Sequence, residues 1–295
     1  MNNFVVVGYD QTLSSDQAVT EAAVEAEARR AALRIVTAYQ DPSRVMRSIS
    51  VTSAASFDDQ DESRLREDAE TAAELAAESV RTNHPGLGVE ARAVAGHAAK
   101  ALVDASHGAG LLVLGNRGRG GLPGLRLGSV PLRVMAGARC PLIVVRGDHH
   151  PKRNRIRVAI DIDGPCDQIL DFAFTAATAR DAAMEVAYVW DEPWFLPYDQ
   201  DDRVPEGAMA ITQEFTARLE AILQPWKSKY SDVPVTQTIT AGPAGTELVA
   251  DSQNFDLLVV GAQLHGGNLH GMRVGAVAHT VLHHADCPVA VIPLG

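Results

Sequence analysis

The chain has 295 residues, about two domains' worth, and its 46% hydrophobic and 21% charged content is that of an ordinary globular protein. Thirty-seven acidic residues against 26 Lys and Arg give a net charge of −11, which argues against nucleic acid or an anionic membrane surface as partner. Three cysteines without a CxxC pair exclude a disulfide scaffold and a Cys-rich zinc site, and they fit a reducing cytoplasm. No apolar run approaches the ~20 residues of a membrane-spanning helix. The opening Met1-Asn2-Asn3-Phe4 has no basic segment followed by a long apolar core, so no secretory leader is expected.

In chain order, β-rich runs near 3–9, 33–39, 88–95, 110–115 and 141–146 alternate with Ala-rich helical segments near 14–31, 63–83, 97–108 and 128–138. After a seam the pattern returns, with strands near 155–162, 184–190, 233–241, 256–261 and 288–293 and helices near 166–182, 206–230, 243–254 and 275–285. Strands that are apolar on both faces and joined by helices predict an α/β fold around a parallel sheet covered on both sides. The stretches 41–62 and 191–205, rich in Asp, Ser or Pro, read as long loops after the second strand of each half, either lids or uninvolved insertions.

The second half repeats the first. Ala95-Gly96-His97-Ala98 with Leu102-Val103 and Ser106 returns 146 residues later as Ala241-Gly242-Pro243-Ala244 with Leu248-Val249 and Ser252. Leu111-Leu112-Val113-Leu114-Gly115 returns as Leu257-Leu258-Val259-Val260-Gly261, and Cys140-Pro141 as Cys287-Pro288. A period of half the chain means a duplicated domain. Residues 1–147 form one expected domain and 155–295 the other, with 148–154 as a polar, basic linker. His149-His150 in that linker read as solvated side chains, and no metal site is expected. Cys140 and Cys287 read as small buried residues.

Ligands of open parallel sheets bind beyond the carboxyl ends of the strands, where strand order reverses. In the first half two strand ends carry unusual residues. The first strand runs into Gly8-Tyr9-Asp10, and the fourth into Gly115-Asn116-Arg117-Gly118-Arg119-Gly120-Gly121, continuing through Arg126 to Gly128-Ser129. Glycines let backbone N–H groups converge on an anion, the arginines supply cationic forks, and a helix start adds unpaired donors. Ser129 is expected to cap that helix or to donate to a phosphate. Asp10 suits a ribose hydroxyl or an adenine amino group. There is no GxxxxGK[ST], and the loop lies too late in the half for a Rossmann fingerprint.

Gly115-x2-Gly118-x9-Gly128-Ser129 matches the ATP-binding pattern G-x2-G-x9-G-[ST] of the universal stress proteins. Val7-Gly8-Tyr9-Asp10 and Gly96-x-Ala98 resemble that family's first and third strand–helix turns. The resemblance covers nearly the whole chain, once per half, and the chain resembles a tandem member. It implies two doubly wound domains, each with a five-stranded parallel sheet of order 3-2-1-4-5 and helices on both faces. It also implies a cytoplasmic stress-response regulator that binds ATP or AMP, with Mg2+ able to accompany the nucleotide. Such proteins are usually homodimers, and an unidentified protein partner belongs to the same expectation.

The second half departs from the pattern. Gly261-Ala262-Gln263-Leu264 has leucine where the second motif glycine belongs, the spacing to Gly275 is one residue longer, and Ala276 replaces the serine. Asp161 replaces Gly8, while Asp163 stands where Asp10 does. Arg273 remains of the loop arginines, and His265, Gly266, Gly267, His270 and Gly271 fill the rest. This half reads either as a weaker nucleotide site or as a structural partner. Ala38, Val130, Val189 and Val277 complete the candidate set. No Ser-His-Asp or Cys-His constellation is legible, and the stretch 115–129 holds no carboxylate for Mg2+. A binding module is therefore expected over an enzyme. The alternatives are a slow ATPase or phosphotransferase, and a scaffold that binds partners without nucleotide.

Overall fold

Runs such as Val5-Val6-Val7 and Leu111-Leu112-Val113 are apolar on both faces, and a strand of that kind must be covered twice. Each of these six side chains is fully buried. The computed structural model describes residues 4–40, 59–119, 126–146, 152–190, 206–264 and 272–294. They fall into two units, the first drawn from Met1–Asp148 and His265–Met272 and the second from His149–Leu264 and Arg273–Gly295.

In the first unit the order is β1 (Phe4–Gly8), α1 (Leu13–Ala28), β2 (Ala32–Tyr39), α2 (Asp59–Asn83), β3 (Val89–Ala95), α3 (Ala98–Ala105), β4 (Leu111–Gly115), α4 (Ser129–Met135) and β5 (Leu142–Val145). The strands lie β3-β2-β1-β4-β5, all parallel, with Val7 between Ile35 and Val113. The chain winds outward from β1 through β2 and β3, then crosses back to β4, so the reversal falls between the ends of β1 and β4.

The helix α1 shows how local sequence serves this packing. Thr12 caps it by accepting from the Ser15 backbone, and Ser15 returns the bond to the Thr12 N–H at 3.0 Å. A cap of this kind contributes ~1 kcal/mol. Ala18, Ala22, Ala23 and Ala26 are buried, and such small side chains let the helix lie close on the sheet.

The second unit repeats the plan with β6 (Arg155–Ala159), α5 (Asp167–Arg180), β7 (Ala183–Trp190), α6 (Glu206–Lys229), β8 (Val235–Ala241), α7 (Ala244–Val249), a 3-10 turn (Ser252–Asn254), β9 (Leu257–Leu264), β10 (Met272–Arg273), α8 (Ala276–His284) and β11 (Val289–Leu294). Its strands lie β8-β7-β6-β9-β11, again parallel. Both units therefore have the expected doubly wound order. Gly96 (φ 131°) and Gly242 (φ 140°) occupy the same turn in each, in a backbone region that side chains disfavour.

Some expected boundaries are corrected. α2 begins at Asp59, inside the stretch 41–62 read as loop; the carboxylates of Asp61 and Glu62 in its first turn suit a helix N-terminus. α3 ends at Ala105 and not near 108, where Gly108 adopts φ 78°. The segment expected as one helix over 243–254 is α7 followed by the 3-10 turn. Residues 41–58 and 191–205, and the linker residues 148–151, lie outside the described residues. Among the described residues no helix is long and apolar enough to cross a membrane.

Candidate functional site

The turn after β1 is closely packed. A Cβ on Gly8 would come 2.7 Å from Leu114 Cδ2 and 3.1 Å from Leu102, so a larger residue would have to push these side chains aside. Asp10 follows and is held from two sides. Its Oδ1 accepts from Thr12 Oγ1 at 2.6 Å, and its Oδ2 accepts the Arg119 backbone N–H at 3.1 Å. The Arg119 guanidinium returns the contact, its Nε donating to the Asp10 carbonyl at 2.7 Å. Asp10 and Arg119 thus form a clasp across 109 residues of chain. Burial first, then the nearby Asp16 carboxylate, pushes the Tyr9 phenol above its ordinary pKa.

The loop after β4 is held at its root. The Asn116 side chain is 5% exposed and faces protein: Oδ1 accepts from Ser14 Oγ at 2.8 Å, and Nδ2 donates to the Arg126 carbonyl at 3.0 Å. Its backbone bonds Val145 O on one side and accepts from the Gly128 N–H on the other, both at 2.8 Å. Gly115 is required by close approach, since a Cβ there would stand 2.5 Å from Ser14 Oγ and 2.8 Å from Ser14 backbone atoms. A Cβ on Gly118 would stand 2.5 Å from Asp10 Oδ2. The expectation that Ser129 caps α4 is corrected: Gly128 holds the cap position without a side-chain bond, and Ser129 is the first helical residue, exposed.

Seven of the residues singled out in the sequence meet in one pocket: Gly8, Asp10, Ala38, Gly115, Arg117, Gly118 and Val130. They come from four strand ends and helix starts spread over more than 120 positions. Arg119 serves the clasp beside the pocket, Asn116 lies beneath it, and Arg126 is exposed at the loop's far end. Gly120 and Gly121 lie outside the described residues. The sequence reading missed Val36, Leu102 and Pro131 in the lining, whose only signal is a position next to a motif residue or on the inner face of α3. Missed too was Ser14. A wider groove in the second unit, lined by Pro165, Pro225, Trp226 and Lys229, gathers none of the singled-out residues.

In the second unit the same positions are used differently. Gly261, Ala262, Gln263 and Leu264, expected to open an anion loop, are instead strand residues. β9 continues through them, with Gly261 opposite Ile292, Ala262 opposite Pro293 and Gln263 opposite Leu294. Gly261 is kept for packing, because a Cβ there would stand 2.6 Å from Leu294 and 2.8 Å from Ile169. Asp161 accepts from the Asp163 N–H at 3.0 Å, and exposed Asp163 pairs with Arg218 of α6, a partner the sequence did not suggest. Gly275 precedes α8, where Ala276 and Val277 are exposed, and a Cβ on Gly275 would meet no described atom within 4 Å. Val189 lies in β7 opposite Thr240. His265, Gly266 and Gly267 lie outside the described residues, as do His270 and Gly271.

The model of the universal stress protein family matches residues 1–146 and again 152–293. A universal stress protein of Mycolicibacterium smegmatis is 31% identical over 293 residues, covering 98% of this chain and 96% of its own. One from Mycobacterium tuberculosis strain H37Rv is 30% identical over 291 residues, covering 97% and 96%. The crystal structure of a universal stress protein from Archaeoglobus fulgidus covers both chains completely with a TM-score of 0.72 at 17% identity.

Proposed function

This chain belongs to the universal stress protein family, and from that premise we propose that it is a cytoplasmic, nucleotide-dependent regulatory module whose first half binds ATP or AMP. The observation that carries the reading is the pocket between the ends of β1 and β4, where the motif residues converge. Gly8 and Ala38 are small residues of its lining, where a flat base would lie. Gly118 and the exposed Arg117 offer backbone approach and positive charge for phosphate beside the start of α4. Bound ATP would bring Mg2+ on its phosphates.

Binding without turnover is the better reading of this chemistry. Asp10 is the carboxylate in the pocket lining, and it is already committed to Thr12 and to the Arg119 N–H. Phosphoryl transfer needs a carboxylate for the metal and a positioned nucleophile or base. A homodimer is part of the same proposal, and light scattering at micromolar concentration tests it. The central test is mass spectrometry of nucleotide released from protein purified without added ligand, followed by a calorimetric ATP titration. Adenine nucleotide near one per chain is the expected result. No nucleotide released and no heat of binding would sink the reading and favour a nucleotide-independent scaffold.

A further inference from the structure

We propose that Ser14 is a positioning residue for the nucleotide loop and acts through Asn116. The inference rests on the nucleotide reading for its functional consequence, but the device itself is written in hydrogen bonds. The Arg126 carbonyl is an acceptor only, so the nitrogen of the Asn116 amide must face it and the oxygen must face Ser14. Ser14, 8% exposed at the start of α1, therefore fixes the amide from one side, and the amide holds the returning chain at Arg126 from the other. The buried Arg146 guanidinium donates to the same carbonyl at 3.3 Å. Together with the bond from Gly128 N–H to the Asn116 carbonyl, the two ends of the loop are closed at one residue.

The second unit is an internal control. With Asp163 matched to Asp10 and Gly261 to Gly115, Asp167 stands for Ser14 and Ala262 for Asn116. Asp167 is exposed, and Ala262, buried, has no amide to offer. There β9 does not release the chain after its glycine but runs two residues further along β11. A buried amide whose hydrogen bonds are both satisfied is a specific fastener, and removing one partner strands the other.

The loop brings its own probe, because the held carbonyl belongs to the Arg126–Leu127 peptide bond, a trypsin site. Ser14→Ala, Asn116→Ala and the double variant would be digested with trypsin without nucleotide, with cleavage after Arg126 and after Arg92 followed by mass spectrometry. Each single variant should be cut after Arg126 at least tenfold faster than wild type, with the Arg92 site unchanged and the double variant no faster than Asn116→Ala. ATP affinity should fall in parallel, three- to tenfold. Ser14→Ala removes one oxygen and suits a helix, so it keeps the test alive if Asn116→Ala does not fold. Wild-type cleavage in Ser14→Ala, or equal acceleration at Arg92, would overturn the proposal. Faster cleavage after Arg126 alone, in a protein whose wild type binds no ATP, would uphold the fastener and reject the nucleotide reading.

Discussion

The two halves share a winding and a strand order, yet they treat the end of the fourth strand in opposite ways. β4 stops at Gly115, and the chain leaves the sheet with Asn116 fastened below it. β9 passes the matching Gly261 and stays paired with β11 as far as Gln263. The acidic residue after the first strand diverges as well: Asp10 clasps the loop through Arg119, whereas Asp163 turns outward to Arg218. A glycine at one position thus serves two ends. Gly115 admits Ser14, and Gly261 admits Leu294 and Ile169. The fold survives loss of the motif because its stability lies in the apolar strands, which both halves keep.

The largest expected effect follows directly from that contrast. The first half has Arg117, Arg119 and Arg126 in its loop where the second keeps Arg273. Of these only Arg117 lines the pocket, and one well-placed cationic hydrogen bond contributes ~1.5–3 kcal/mol, so its loss separates the sites by roughly one to two orders of magnitude. Calorimetry should give one tight ATP site per chain, and two sites of equal affinity would erase the distinction. Gly118→Leu should then lower the tight affinity at least tenfold, ~1.4 kcal/mol, with the fold retained. Its side chain must displace the Asp10 carboxylate, 2.5 Å from the Cβ position. Unchanged affinity would show that the clasp and the pocket are independent.

Asp10→Ala and Asp163→Ala make a matched pair. The first removes an acceptor shared by Thr12 and Arg119 and should weaken nucleotide binding by ~1–3 kcal/mol. The second breaks an exposed pair and should leave ATP affinity and melting temperature nearly unchanged. Equal losses in the two variants would mean that the second half holds a working site.

Where the halves agree, the cysteines give a chemical check. Cys140 and Cys287 occupy matched, buried positions, and burial pushes the Cys140 thiol up to about 11. The Cys140 thiol therefore stays protonated at pH 7–8, and Cys287 is 1% exposed, so neither cysteine should react with Ellman's reagent until the protein unfolds. Prompt reaction of one would mark its half as the looser.

The smallest effect concerns the outer strands, where β3 carries Glu90 and Arg92 and β8 carries Thr236 and Thr238. Burial would raise the Glu90 pKa, but hydrogen bonds from Arg34 and Arg92 outweigh it and hold the carboxyl below its ordinary value. A lowered carboxylate pKa adds stability above the ordinary range, and that stability is lost as pH falls through the folded value. Glu90→Gln should therefore flatten the acid side of a melting-temperature profile below about pH 4.5. The pair is half exposed and screened by solvent, which confines the change to ~0–1 kcal/mol. An unchanged acid limb would place the acid sensitivity elsewhere.

The duplication, the alternation of strands and helices, and the phosphate-type loop of the first half are legible in the sequence because each is local. Apolar runs, alanine-rich faces and closely spaced glycines declare themselves within a few turns of chain. The family resemblance added the strand order, which follows from no local pattern. Only the tertiary structure decided where the fourth strands end, because that depends on contacts between distant residues: Ser14 with Asn116, and Gly261 with Leu294. It likewise decided that Asp10 belongs to a clasp, that Asp163 belongs to Arg218, and that Gly128 caps α4 in place of Ser129. A residue's type limits what it can bond, but its partner is chosen by whichever part of the chain the fold brings within 3 Å.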